Sequence, residues 1–148
     1  MTDHHYFMQE AIREAQKGLE QNGIPIGSVI VHNNEIIGRG HNQRIQKKSS
    51  TLHGEMDALE NAGRLPAKIY QECTLYTTLS PCPMCTGAIL LYKIPHVVIG
   101  ENKNFMGEEE LLKQKGVQIT LLQDNDCIQM MENFIQTCPH IWNEDIGV

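Results

Sequence analysis

The chain has 148 residues, with 41% hydrophobic and 20% charged residues, and these are ordinary values for one globular domain. Its formal net charge of −6 argues against a nucleic-acid-binding protein, because contacts to phosphates need a basic surface and the basic residues cluster only at 44–48. No apolar run approaches the roughly 18 residues of a membrane helix, and no signal-like segment opens the chain. We therefore expect a single domain over residues 1–148 that binds neither membrane nor nucleic acid. The expected location is the cytoplasm, with the nucleus as a further location.

Hydrophobic periodicity predicts helices that alternate with strands. In chain order, the predicted elements are a helix over 3–21, strands over 26–31 and 36–39, a helix over 51–62, a strand over 74–78, a helix from 80, a strand over 96–99, a helix over 108–115, a strand over 117–121 and a helix from 126. This order indicates an α/β fold, a three-layer α/β/α sandwich around a five-stranded mixed sheet.

Three local signals sharpen this prediction. The pair Asn33-Asn34 favours a tight hairpin turn, because asparagine tolerates left-handed φ. Met56 and Leu59 are expected on the inward face of their helix. Ser80 and Pro81 predict a helix start, with serine as the cap and proline at the first helical position.

One imidazole, two thiols and one carboxylate form the clearest chemical pattern in the sequence. His53 is followed two residues later by Glu55, and Cys82 and Cys85 follow in a Pro-Cys-x-x-Cys segment. Zinc prefers four nitrogen or sulfur ligands, and a site with three protein ligands keeps a position open for water or substrate. His-x-Glu followed by Pro-Cys-x-x-Cys is a known signature of zinc-dependent nucleobase deaminases. The pattern therefore predicts a catalytic zinc site.

Two other interpretations of the cysteines remain open. The Cys82 and Cys85 pair at a helix start also suits a thiol redox protein, because a helix N-terminus lowers a thiol pKa. A structural zinc site would need a fourth ligand, for which His41 and Cys73 are the nearest candidates. We expect the remaining cysteines to be reduced core residues, and these are Cys73, Cys127 and Cys138.

Segments distributed along nearly the whole chain resemble the cytidine deaminase-like superfamily, and within it the yeast-type cytosine deaminases. The segments that carry the resemblance are Gly38-Arg39-Gly40-His41-Asn42, Thr51-Leu52-His53-Gly54-Glu55, Leu75-Tyr76-Thr77-Thr78-Leu79-Ser80-Pro81-Cys82, Cys85-Thr86-Gly87-Ala88-Ile89, Gly100-Glu101-Asn102 and Trp142-Asn143-Glu144-Asp145-Ile146-Gly147. The zinc motif identifies only the superfamily, whereas the segment from Trp142 to Gly147 identifies the branch.

The resemblance implies a reaction and a set of roles. It implies that one zinc ion is held by His53, Cys82 and Cys85, that Glu55 shuttles protons, and that cytosine is converted to uracil and ammonia in pyrimidine salvage. It also implies a homodimer and a closing segment over residues 139–148. The residues expected to contact the base are Asn42, Gly54, Phe105, Trp142 and Asp145. A small pyrimidine is the expected partner, and 5-fluorocytosine an expected further substrate.

Some of these roles have plainer alternatives. Glu55 could be a solvated helix residue or could merely orient His53, Asn42 could be a turn residue, and Asp145 could end a helix or form a salt bridge. Guanine and adenosine in transfer RNA are alternative substrates, because enzymes acting on them share the zinc motif.

Overall fold

Five strands form one mixed sheet in the order β2-β1-β3-β4-β5 in the computed structural model, which describes residues 3–148. The strands are β1 (Gly27–His32), β2 (Glu35–His41), β3 (Cys73–Thr77), β4 (His96–Ile99) and β5 (Gln118–Leu121). β1 is antiparallel to both β2 and β3, whereas β3, β4 and β5 are parallel to one another. The predicted five-stranded mixed sheet is confirmed.

Seven helices are present within residues 3–148, and none of them has the length and apolar character that crossing a membrane requires. The helices are α1 (His4–Glu20), α2 (Gly54–Ala62), α3 (Ala67–Tyr70), α4 (Pro83–Tyr92), α5 (Glu109–Gln114), α6 (Asn125–Thr137) and α7 (Pro139–Asp145). The short helices α3 and α7 were not predicted, because four and seven residues are too few to establish a helical period.

Alternate strand residues face opposite layers of helices. Leu75 of β3 belongs to the core beneath α2 and α4, whereas its neighbour Tyr76 belongs to the core beneath α1 and α6. Both side chains are fully buried. Because successive strand residues point to opposite faces, the sheet is covered on both sides, and the α/β/α sandwich is confirmed.

The hairpin and the close packing of α2 on β2 follow from particular residues. Asn33 and Asn34 have φ of 51° and 62°, as the hairpin prediction requires. At Gly40, an added Cβ would lie 2.6 Å from the backbone nitrogen of Ala58, so α2 can approach β2 only where a side chain is absent. This approach places Asp57 and Ala58 at the buried face.

The expected inward face of α2 is therefore wrong for Met56 and only partly right for Leu59. Met56 and Leu59 are only half-buried, and although Leu59 packs on the edge of the core, both line a surface groove with Tyr92. The glycine-rich strand turns α2 so that its smaller Ala58 faces the sheet.

The predicted start of α4 is also wrong, by two residues. Cys82 is the N-cap and Pro83 the first helical residue, so Cys82 does not lie inside the first turn. The Ser80 hydroxyl instead donates to Glu109 and accepts the backbone N–H of Gly107 at 2.9 Å. Ser80-Pro81 and Cys82-Pro83 are consecutive pairs. Cys82 caps the helix, whereas Ser80 is held by its contacts with Gly107 and Glu109.

Candidate active site

The three predicted zinc ligands meet where α2 and α4 begin. His53 is the N-cap residue of α2, and Cys82 is the N-cap residue of α4, with Cys85 one turn further along. His53 Nδ1 lies 3.4 Å from Cys82 Sγ, and one ligand atom from each of the three residues lies within 4.8 Å of the others. The two separate halves of the motif therefore form one cluster, as the sequence predicted.

The cluster has the donor chemistry and the size that zinc needs. Zinc bonds of about 2.3 Å to sulfur and about 2.0 Å to nitrogen, at tetrahedral angles, separate a nitrogen and a sulfur ligand by about 3.5 Å. The measured 3.4 Å matches that separation. Among residues 3–148, this is the group of potential metal ligands that the structure brings together, and neither His41 nor Cys73 belongs to it. A fourth protein ligand for a structural zinc site is thus missing from the described residues.

Hydrogen bonding divides the charge unequally between the two thiols. The side chain of Cys85 donates to Cys82, which lowers the pKa of Cys82 to about 4 and raises the pKa of Cys85 well above its usual value. The Cys85 backbone N–H also donates to Cys82 Sγ, at 3.5 Å. Cys82 is therefore held as a thiolate at the start of a helix, where the helix dipole favours negative charge.

Glu55 lies beside this cluster and is buried, with 4% of its surface exposed. Burial raises its pKa to about 7, and the negative charge of Cys82 adds to the shift. A carboxyl group with a pKa near neutrality can both accept and return a proton. The structure therefore excludes the interpretation of Glu55 as a solvated helix residue.

A buried polar link joins the loop after β2 to the C-terminal helix. Asn42 Nδ2 donates to Asp145 Oδ2 at 2.9 Å, and the Arg44 backbone N–H donates to Asn42 Oδ1 at 2.9 Å. The other oxygen of Asp145, Oδ1, is buried and has no hydrogen-bond partner among the described residues. It lies 3.4 Å from His53 Nε2 and 3.6 Å from a guanidinium nitrogen of Arg44.

His53 is influenced by both of its neighbours. Burial alone would lower the pKa of His53, but the Asp145 carboxylate and the Cys82 sulfur raise it to about 10. Because Nδ1 faces Cys82, the Nε2 side faces Asp145. A carboxylate on the far nitrogen of a metal-binding histidine fixes the orientation of the ring.

Aromatic and aliphatic side chains close the cavity above these groups. Phe105 and Trp142 meet edge to face, with ring centroids 5.8 Å apart, and both residues line the cavity. Gly54 is not among the residues that line the cavity, and an added Cβ there would lie 3.0 Å from the Ile26 carbonyl oxygen. The complete lining is Ile26, His53, Glu55, Leu79, Ser80, Cys82, Phe105, Trp142, Asp145 and Ile146.

Sequence reasoning missed several residues at the site. Ser80 and Ile146 lie within segments that carry the resemblance, yet neither has a chemical signal that assigns it to the cavity. Arg44 did have a signal, because it opens the basic cluster at 44–48. Its guanidinium lies near both Glu144 and Asp145, so part of that cluster is neutralised within the fold.

Comparison with known proteins identifies the family. Residues 1–101 match the family described as the cytidine and deoxycytidylate deaminase zinc-binding region. Cytosine deaminase of Candida albicans is 57% identical over 141 residues, which cover 95% of this chain and 94% of that protein. A tRNA-specific adenosine deaminase of Streptococcus pyogenes is 41% identical over 141 residues, covering 88% of this chain and 89% of that protein.

A solved structure agrees with this assignment. A structure from studies of A-to-I editing by tRNA:A34 deaminases superposes with a TM-score of 0.73 at 26% identity, and the match covers 85% of this chain and 99% of that one. Membership of one family explains both the fold and the metal cluster. The chain therefore belongs to the cytidine and deoxycytidylate deaminase family of zinc-binding proteins.

Proposed function

We propose that this protein catalyses the hydrolytic deamination of cytosine to uracil and ammonia. The observation that carries the proposal is the 57% identity to a cytosine deaminase over nearly the full length of both chains. The match with the tRNA-specific adenosine deaminase is weaker, at 41% identity. The site contributes chemistry that fits this reaction.

His53, Cys82 and Cys85 would hold the zinc ion, because their donor atoms have the spacing that a tetrahedral ion requires. When bound by three protein ligands, zinc lowers the pKa of a water molecule at its open position. The protein must then hold this ion rigidly, and the two helix N-caps provide that support.

Glu55 would move the protons of the reaction. Its carboxylate takes a proton from the attacking water and delivers it to ring nitrogen 3 of cytosine, which makes carbon 4 electrophilic. After the oxygen has added to carbon 4, the same carboxylate takes the remaining proton of that oxygen and passes it to the amine, the bond from carbon 4 to the amine nitrogen breaks, and ammonia leaves. A pKa of about 7 suits a group that must act as base and then as acid.

Asn42 and Asp145 would form hydrogen bonds with the polar edges of the base. The Asn42 amide uses one N–H on Asp145 and one lone pair on Arg44, so one N–H and one lone pair remain free. These complement the O2 acceptor and the N1–H donor of cytosine. In cytidine, N1 carries ribose and has no proton, so this pairing favours the free base.

Asp145 offers a second contact. Its buried Oδ1 has no hydrogen-bond partner in the described residues and belongs to a residue that lines the cavity. Beside its charged neighbours His53 and Arg44, this carboxylate oxygen keeps lone pairs that can accept a substrate N–H. The exocyclic amine of cytosine is such a donor.

Residues 139–148 would form the closing segment of this pocket. Trp142 and Ile146 line the cavity together with Phe105 of the loop after β4, so a bound base would lie against their apolar side chains. Closure by these side chains would exclude a ribose and remove water from the reacting centre. Fluorine is little larger than hydrogen, so 5-fluorocytosine would also fit.

The rival substrates receive less support. An enzyme for transfer RNA needs cationic residues around its pocket, whereas Arg44 at the pocket mouth is already paired with Glu144 and Asp145. A thiol redox role does not require the buried carboxyl group of Glu55.

We further propose a homodimer that acts in pyrimidine salvage. The sequence from Pro83 to Tyr92 contains no charged residue, yet Leu91 is 70% exposed and Tyr92 is 41% exposed. An uncharged apolar helix face can bury itself against the same face of a second copy of this chain. The two copies would then pack through α4.

Ultraviolet absorbance separates the candidate substrates. Cytosine, cytidine, adenine and guanine are incubated separately with purified zinc-loaded protein, and we expect the spectrum to change with cytosine alone. Turnover of guanine or adenine with no change in cytosine would refute the proposed function. An inert protein that retains its zinc would instead favour a binding or redox role.

A further inference from the structure

A second buried carboxylate, Asp57, lies one half-turn beyond Glu55 on α2. Only 1% of its surface is exposed. Its Oδ2 accepts the backbone N–H of His41 at 3.0 Å and the side-chain amide of Gln43 at 3.2 Å. These two donors flank Asn42, so a single oxygen atom holds the chain on both sides of that residue.

The contact is close because the end of β2 lies directly on the first turn of α2. An added Cβ at Gly40 would lie 2.6 Å from Asp57 Oδ2. Asp57 is also tied to the metal cluster, since its backbone N–H donates to the carbonyl oxygen of His53 at 2.8 Å. The same helical turn thus carries a zinc-ligand candidate, Glu55 and the carboxylate that holds the Asn42 segment.

The other contacts of the Asn42 segment leave it dependent on this carboxylate. Two backbone hydrogen bonds fix its course, from Asn42 to the Ile26 carbonyl and from Gln43 to the Leu52 carbonyl. The first of these bonds does not reach α2, and the second reaches only the residue before its N-cap, His53. Through His41 and Gln43, Asp57 connects the segment to the helical turn that carries Glu55.

We propose that Asp57 is a positioning residue, which sets the distance between the Asn42 amide and the carboxyl group of Glu55. The inference rests on the proposed function, in which Asn42 binds one edge of the base while Glu55 protonates another. Asp57 does not touch the substrate. Its effect on catalysis passes through Asn42.

The chemistry of the contact predicts which replacement is tolerated. The second oxygen of Asp57, Oδ1, is buried and has no hydrogen-bond partner in the described part of the chain. Asparagine keeps one carbonyl oxygen of the same shape, which can accept both bonds, and places its amide where Oδ1 was. Alanine removes both bonds and leaves the His41 N–H and the Gln43 amide without an acceptor.

A double-mutant cycle tests the proposal. Asp57→Ala is combined with Asn42→Ala, and kcat/KM for cytosine is measured for zinc-loaded protein together with zinc content. We expect Asp57→Ala alone to lower kcat/KM about tenfold or more, and to cost less than about threefold once Asn42 is alanine, because coupled residues are not additive. Zinc content should stay unchanged, and Asp57→Asn should retain most of the wild-type kcat/KM.

Asn61→Ala is the matched control. Asn61 also lies on α2 and also donates to β2, from its side chain to the Arg39 carbonyl at 2.7 Å, but away from Asn42. Asn61→Ala should change kcat/KM by the same factor whether residue 42 is asparagine or alanine. Equal losses from Asp57→Ala in both backgrounds, or an Asp57→Asn variant as impaired as the alanine variant, would overturn the proposal.

Failure of the Asp57→Ala variant to fold and failure of the proposed function are separate outcomes. If Asp57→Ala does not fold, the cycle is run with Asp57→Asn and Asp57→Ser, and serine should show the coupling because its hydroxyl is too short to span both donors. If the wild-type protein deaminates another base and not cytosine, the proposed function fails, and the same cycle on that base still tests Asp57. Additive effects there would refute the positioning role on its own.

Discussion

Glu55 combines burial with a pKa of about 7, and its proposed role depends on carrying a proton, so the change to glutamine is informative. An amide of the same shape can hydrogen-bond water but cannot accept and return its proton. We expect Glu55→Gln to keep zinc and fold while kcat falls about 10³-fold or more, since general acid–base groups contribute about 10² to 10⁴. Metal content and turnover are measured on the same preparation, and near-normal turnover would reduce Glu55 to an orienting residue.

The charges at the cluster predict how zinc binding depends on pH. Zinc needs a neutral imidazole and two thiolates, whereas the pKa of His53 is raised to about 10 and that of Cys85 lies well above its usual value. Zinc must therefore displace one proton from each of these residues, but none from Cys82, whose pKa is lowered to about 4. Zinc affinity should then rise about a hundredfold per pH unit between about pH 6 and 8.

Competition with a colorimetric chelator across that range measures this dependence. The same titration on Glu55→Gln removes any contribution from the nearby carboxyl group. An affinity that does not change with pH would mean that His53 and Cys85 are already deprotonated before the metal arrives.

The sequence predicts individual site residues only where their spacing forms a metal-binding and catalytic motif. His53, Glu55, Cys82 and Cys85 belong to a recognisable pattern. The link from Asn42 to Asp145 crosses 103 positions, and nothing in local periodicity indicates it. Resemblance to a family suggested both residues, but only the folded chain shows that they bond to each other.

Among the elements, α7 is the one on which the proposed substrate selection depends. Trp142 and Asp145 are buried on this seven-residue helix, although the sequence around them shows no helical period. Truncation after Ile141 removes one wall of the pocket and the partner of Asn42, but none of the proposed zinc ligands. We expect activity to be lost while zinc content is kept.

Deletion of Val148 alone is the control for this truncation, because that residue is 80% exposed. Activity and zinc content are compared in both variants. If the protein shortened after Ile141 remains fully active on cytosine, residues 139–148 are not a closing segment. Loss of zinc in that variant would assign α7 a structural role in the metal cluster.

The placement of elements was predictable because each strand carries alternating or continuous apolar residues bounded by turn residues. The start of α4 was not, since Ser80-Pro81 and Cys82-Pro83 are both acceptable helix starts and the choice depends on tertiary contacts. Ser80 contacts Glu109 and Gly107, which leaves Cys82 to cap the helix. The orientation of α2 likewise depends on the glycines of β2.

At the scale of the whole molecule, the apolar face of α4 predicts association. Leu91→Glu places a charge on that face and should convert a dimer to a monomer, as light scattering coupled to gel filtration would show. Leu19→Glu, on α1, changes an exposed leucine elsewhere and should leave the mass unchanged. A wild-type protein that is already monomeric at micromolar concentration would contradict the proposed homodimer.

Simultaneous measurement of ammonia and of the product base tests whether the protein deaminates a free pyrimidine base. Cytosine and cytidine are supplied at equal concentration to zinc-loaded protein, with Glu55→Gln as the inactive reference. We expect one ammonia and one uracil for each cytosine consumed, and no ammonia from cytidine. Equal turnover of cytidine, or no uracil from cytosine, would contradict it.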